Sequence, residues 1–121
     1  MFSNIKNGLS VKKKYIYSLK NNICLGVLNV LWDEGLINGY RIHSSKKKNL
    51  EIFLKYNKGT PVILLLKAIS KPGKRVYINK KNIWKLDNSV GLFILSTNKG
   101  VLSLNKCKEL NIGGELICYV Q

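Results

Sequence analysis

Apolar and polar residues alternate over Lys13–Leu19 (KKYIYSL), with Tyr15, Tyr17 and Leu19 on one face and Lys14, Ile16 and Ser18 on the other. That period of two predicts a half-buried strand. Before it, Phe2–Gly8 reads as a short helix ended by Gly8. After it, Asn21 is placed to cap a helix over about Asn22–Glu34, whose apolar residues Ile23, Val27, Val30 and Leu31 recur at helical spacing. Gly35 supplies the residue that can turn left-handed after the last turn. Two further strands, Gly39–His43 and Leu50–Tyr56, form the simplest hairpin. Lys46, Lys47 and Lys48 lie at its tip, either as a solvated loop or close to phosphate.

The stretch Asn57–Pro61 (NKGTP) is the clearest break in composition, and it sets the expected boundary between an N-terminal lobe, residues 1–58, and a C-terminal lobe, residues 59–121. Val62–Ser70 (VILLLKAIS) is uniformly apolar and predicts a strand buried on both faces. Pro72 and Gly73 suit the two central positions of a type II turn, returning the chain as a strand over Arg75–Ile78. A polar connection containing Trp84 leads to a strand over Leu92–Leu95 and the polar loop Ser96–Gly100. Ser103 caps a short helix, Leu104–Leu110, and Gly113-Gly114 precedes a last strand, Glu115–Val120. The expected fold class is α+β: an N-terminal α/β lobe with a helix-packed short sheet, and a β-rich C-terminal lobe with one short helix.

Composition narrows the function. The chain of 121 residues is 45% apolar, enough for a core that removes roughly 65% of the extended chain's surface from water. Against 21 Lys and Arg stand only 6 Asp and Glu, a net charge of +15, which makes a polyanion the natural partner. Nineteen of the basic residues are Lys, the exceptions being Arg41 and Arg75. Lysine attracts phosphate as a point charge, whereas bidentate reading of guanine edges favours arginine, so the chain is suited to holding a backbone more than to reading duplex sequence. Abundant Asn, Ile and Lys beside a single alanine, Ala68, fit an AT-rich genome. An organelle's own genome would suit that bias, and the absence of an expected secretory or transit leader at Met1 fits synthesis inside the organelle, although AT-rich bacteria and parasites share the bias. The longest apolar run, Val62–Leu66, falls far short of the ~20 residues of a membrane-spanning helix, so no membrane partner is expected.

Catalytic groups do not converge. The carboxylates Asp33, Glu34, Glu51, Asp87, Glu109 and Glu115 are scattered, and His43 has no nucleophile at a useful spacing. Cys24, Cys107 and Cys118 lack any paired spacing, which predicts reduced thiols, no zinc site and no other metal. The glycines form neither a Walker loop nor a dinucleotide fingerprint, so no cofactor or small-molecule substrate is expected. The polar loop remains. Ser96, Thr97 and Asn98 offer donors and acceptors on short side chains, suited to base edges and ribose hydroxyls in a shallow RNA groove. Lys99 adds phosphate attraction and Gly100 permits close backbone approach, although the same residues could form an ordinary turn. Lys71, Lys74 and Arg75 flank the Pro-Gly turn beside Tyr77, which is either a stacking surface or a core residue.

Three ordered segments, Ile69–Tyr77 (ISKPGKRVY), Ser96–Gly100 (STNKG) and Ile112–Val120 (IGGELICYV), closely resemble the small-subunit ribosomal protein S8 family. Leu28–Ile37 (LNVLWDEGLI), Leu54–Tyr56 (LKY) and Ile5–Gly8 (IKNG) match that family's N-terminal half. The resemblance implies a non-enzymatic, primary rRNA-binding protein that clamps a distorted stem in the central domain of small-subunit rRNA and supports subunit assembly and translation. It further implies rRNA contacts by Ser96, Thr97, Asn98, Lys99 and Gly100, by Gly113, Gly114 and Glu115, and by Lys71, Gly73, Arg75 and Tyr77 around the Pro-Gly turn. Asn98 stands where the family usually has serine. Ribosomal protein S5 is the implied protein neighbour, and the divergence of the N-terminal half from the family, with no leader expected, puts a mitochondrion ahead of a plastid or a bacterial cytoplasm. The alternative is a free RNA-binding chaperone or regulator with the same fold.

Overall fold

Residues 2–42, 49–70, 73–86 and 91–121 are described by the computed structural model. The expected hairpin tip with Lys46, Lys47 and Lys48, as well as His43, Lys71, Pro72 and Asp87, lies outside these residues. The chain divides into two compact units, Met1–Leu64 and Leu65–Gln121.

In the first unit, α1 spans Phe2–Ser10, β1 Tyr15–Leu19 and α2 Asn22–Asp33. They are followed by β2, Ile37–Ile42, and β3, Asn49–Leu54. Gly8 does not end α1. It is buried inside the helix, where an added Cβ would come within 2.5 Å of Ile16 Cγ2, so the missing side chain lets α1 lie close to β1. The chain leaves the helix two residues after its end, at Lys12, which has a φ of 58°. Asn21 caps α2 as expected, its side-chain oxygen accepting the Cys24 N–H at 2.7 Å, and Gly35 follows at a φ of 73°.

The three strands form an antiparallel sheet in the order β1-β3-β2. Its covered face carries Ile16, Ser18, Leu50, Ile52 and Leu54, with Ile5 of α1 and Val27, Leu28 and Leu31 of α2 buried as well. Burying the aliphatic side chains among these contributes about 1.5–3 kcal/mol each. The alternation read along β1 therefore holds, with Tyr15, Tyr17 and Leu19 on the exposed side. Ile23 stays exposed at the start of α2, and Leu28 takes its place in the buried stripe. The Asn57–Pro61 stretch forms a small hairpin within this unit, β4 (Tyr56–Asn57) with β5 (Thr60–Pro61).

The second unit contains β6 (Leu66–Ala68), β7 (Tyr77–Ile78), a 3-10 turn (Ile83–Lys85), β8 (Leu92–Thr97), β9 (Gly100–Ser103), α3 (Leu104–Leu110) and β10 (Gly114–Val120). β10 is the hub of this sheet. It pairs with β8 along one edge, and with β6 and then β7 along the other, all antiparallel, while β9 continues the sheet beyond β8. The core gathers Ile83, Leu95, Leu104, Cys107 and Leu116.

The long buried strand expected over Val62–Ser70 shrinks to Leu66–Ala68, and Leu64 and Leu65 are exposed. Val62 is held instead beside the small hairpin, its N–H donating to the Lys55 carbonyl at 3.1 Å. β10 reaches Val120, and beyond it Leu65 and Gln121 exchange the last two backbone bonds, at 2.9 and 2.8 Å.

Candidate nucleic-acid interface

The candidate residues of the second unit meet where β7, β8 and β10 run side by side. Glu115 pairs with Tyr77 on one flank and Ser96 on the other, and Gly114 pairs with Ile78. The strands approach closely because Gly113 and Gly114 have no side chains. A Cβ on Gly113 would sit 2.3 Å from the Ile78 carbonyl oxygen, and one on Gly114 2.3 Å from the Ser96 carbonyl oxygen.

Helix α3 delivers this glycine pair. Ser103 caps its start, accepting the Lys106 N–H at 3.5 Å, and Asn111 ends it in the left-handed conformation, φ 54° and ψ 49°. The Ile112 N–H then donates back to the Cys107 carbonyl at 3.1 Å, turning the chain toward β10.

The expected polar loop is a tight hairpin turn. β8 runs through Thr97 and β9 restarts at Gly100, leaving Asn98 and Lys99 as the connection. Thr97 organises it: its hydroxyl donates to the Gly100 carbonyl at 2.8 Å and accepts the Lys99 N–H at 3.2 Å. A hydroxyl has one proton and two acceptor sites, so a single acceptor site on Thr97 is left for a ligand. Gly100 has a φ of 108°, a conformation open to glycine and rarely to other residues. The strand β9 escaped the sequence reading because the glycine that starts it reads as the end of a loop.

These elements line a shallow groove of about 630 Å³. Ser96, Thr97, Asn98, Gly113, Gly114, Glu115 and Tyr77 all border it. Tyr77 is 72% exposed, which resolves the choice left by the sequence: its ring is not part of the core. Arg75 joins through its guanidinium, Nη1 donating to Glu115 Oε1 at 3.0 Å. That pairing offsets the charge of the acidic residue on the rim, which would otherwise repel phosphate. Lys99 and Gly100 occupy the turn next to the groove, and Gly73 is exposed on the connection leading to Arg75. Asn79, Lys80 and Asn111 also border the groove and were not singled out by the sequence. The positive φ that places Asn111 is a property of helix endings, for which an Asn just after the last helical residue is the readable signal.

A larger cleft of about 1040 Å³ lies in the first unit, bordered by Asn4, Asn7, Lys13, Lys14, Tyr15 and Tyr17 among others, and gathers none of the candidate residues. Among the described residues no cluster of His, Cys, Asp and Glu could hold a metal ion, and no helix is long and apolar enough to cross a membrane. The groove combines hydroxyls, amides, an exposed phenol ring and backbone groups around one carboxylate paired with Arg75. Such a surface can hydrogen-bond and stack against a shallow nucleic-acid groove.

A family model described as ribosomal protein S8 matches residues 1–121. The small ribosomal subunit protein uS8 of Blochmanniella pennsylvanica (strain BPEN) is 41% identical over 121 residues, spanning 99% of this chain and 92% of the relative. That of Wigglesworthia glossinidia brevipalpis is 38% identical over 121 residues, spanning 100% and 93%. The uS8 of Brucella anthropi is 41% identical over 122 residues, spanning 99% and 92%.

Proposed function

Because the chain belongs to the ribosomal protein S8 family, we infer that it is a structural constituent of the small ribosomal subunit that binds small-subunit rRNA and supports subunit assembly and translation. The observation that carries the RNA-binding part is the convergence of Ser96–Asn98, Gly113–Glu115 and Tyr77 on one groove, with Arg75 offsetting its carboxylate. In this reading Ser96, Asn98 and the Tyr77 ring meet the minor-groove face of a distorted central-domain stem. Thr97 and Gly100 fix the shape of the turn, and Gly113 and Gly114 keep the surface shallow. Lys71, Gly73 and Lys99 approach the phosphates beside it. The role is that of a scaffold rather than an enzyme.

Ribosomal protein S5 is the neighbour this reading assigns in the assembled particle, on the family resemblance. The relatives named above are bacterial, which favours a bacterial ribosome over the expected mitochondrial one.

The test is sedimentation of the endogenous protein from lysate through a sucrose gradient, before and after a moderate salt wash, with small-subunit rRNA probed in each fraction. Co-migration with the small subunit through the wash is expected. A protein that runs free, or with other RNA, is instead a stand-alone RNA chaperone or regulator.

A further inference from the structure

The wall of the groove continues into a short turn that holds a tryptophan out into solvent. Asn79, on the groove, starts this turn: its side-chain oxygen accepts the Asn82 N–H at 2.9 Å, and its carbonyl accepts the Asn82 and Ile83 N–H groups, both at 3.1 Å. Ile83 is anchored in the core with Leu95, Leu104 and Cys107. Anchoring Ile83 turns the next residue, Trp84, outward, and it remains 60% exposed. Tryptophan is on average a highly buried residue, so this exposure forgoes a large burial term.

The ring is not bare. Lys108 reaches across from α3, its ammonium 5.8 Å from the Trp84 ring centroid, and the same Nζ donates to the Leu86 carbonyl at 2.8 Å. The cation is thereby fixed against the indole. Lys80, Lys81 and Lys85 are exposed on the same turn, and Lys80 also borders the groove.

We propose that Trp84 is a second RNA contact, a stacking seat for one unpaired base beside the stem held in the groove, with Lys81, Lys85 and Lys108 attracting the phosphates that flank that base. This rests on the RNA-binding reading above and adds to it a preference for a stem that carries an unpaired nucleotide. An indole face stacks on any base, and fixed cations around it suit the backbone on either side. Continuity with the groove through Asn79 and Lys80, together with the four lysines, favours a nucleic acid over a protein as the occupant.

The experiment uses the full chain carrying Trp32→Phe, so that Trp84 is the sole tryptophan. Two RNA duplexes of equal length are titrated in, one fully paired and one with a single unpaired adenine, while binding is followed separately by filter retention. The expected result is quenching of Trp84 emission by the bulged duplex and little change with the paired one. Trp84→Ala should weaken binding of the bulged duplex on the order of 10-fold and leave the paired duplex unaffected, and Trp84→Phe should retain most of the difference. Equal affinities for the two duplexes with unmoved emission would overturn the stacking seat and leave the groove reading standing. No retention of either RNA would defeat the groove reading as well. Emission that moves only when other small-subunit proteins are added would mark Trp84 as a protein contact and overturn the proposal.

Discussion

Thr97 stabilises the turn through its hydroxyl, which holds the Gly100 carbonyl and the Lys99 N–H together. Thr97→Ala should therefore act through shape: about 1 kcal/mol less stability in urea unfolding, and a larger loss of affinity for the cognate stem than for a random duplex. Thr97→Ser, which keeps the hydroxyl, should restore most of the stem affinity. Equal losses on stem and random duplex would remove the turn from the recognition surface. The cysteines divide by environment. Burial pushes the Cys118 thiol up to about 12 and raises that of Cys107, while Cys24 is only partly covered. Iodoacetamide at pH 8 should modify Cys24 in the folded chain and spare the other two, as mass spectrometry of the peptides can read. Because the folded state holds the Cys118 proton more tightly than the unfolded chain, its contribution is intact below pH ~9 and is lost as pH rises toward 12. The stability of Cys118→Ala should accordingly fall less between pH 8 and 10.5 than that of the unsubstituted chain.

At the scale of elements, Ser70 helps to tie the connection between β6 and β7 to β10. Ser70 Oγ accepts the Val76 N–H at 3.0 Å and donates to the Leu116 carbonyl at 2.5 Å. Ser70→Ala leaves both groups short of a partner, should cost about 1–2 kcal/mol in urea unfolding, and should lower stem affinity by loosening Arg75 from Glu115. Gly114→Ala forces a methyl group against the Ser96 carbonyl and should cost about 1–3 kcal/mol by the same measurement. An unchanged urea midpoint in Gly114→Ala would mean that the two strands can part without penalty. The elements that local sequence predicts well are those with a local cause. Asn21 and Ser103 were legible as caps because capping is settled within four residues, and β10 because Gly-Gly precedes a run of strand formers. What failed depended on partners distant in sequence. Gly8 reads as a helix stop until Ile16 is seen against it, and Val62 reads as the start of a strand until its N–H is seen paired with the Lys55 carbonyl beside the small hairpin. Likewise STNKG was readable as polar and turn-forming, whereas the inward use of the Thr97 hydroxyl and the meeting with Gly113–Glu115 follow from sheet register, which composition does not encode.

For the whole molecule, the positive charge is distributed and not confined to the groove. Residues 1–64 carry eleven basic and three acidic side chains, and residues 65–121 carry ten and three, so both units present a positive field to a polyanion. A groove alone would give affinity that depends weakly on salt, since hydrogen bonds and stacking release few counterions. Two lysine-rich units each laid on phosphate would instead give a steep dependence. If about five to eight phosphates are neutralised, log affinity for the stem should fall linearly with log salt at a slope of roughly −4 to −7. Lys99→Gln should make that slope shallower by about one while weakening stem and random duplex alike, because a phosphate contact carries no sequence information. Filter-binding titrations at four or five salt concentrations measure both quantities, and a flat response would put the source of affinity in the groove rather than in the field of the two units.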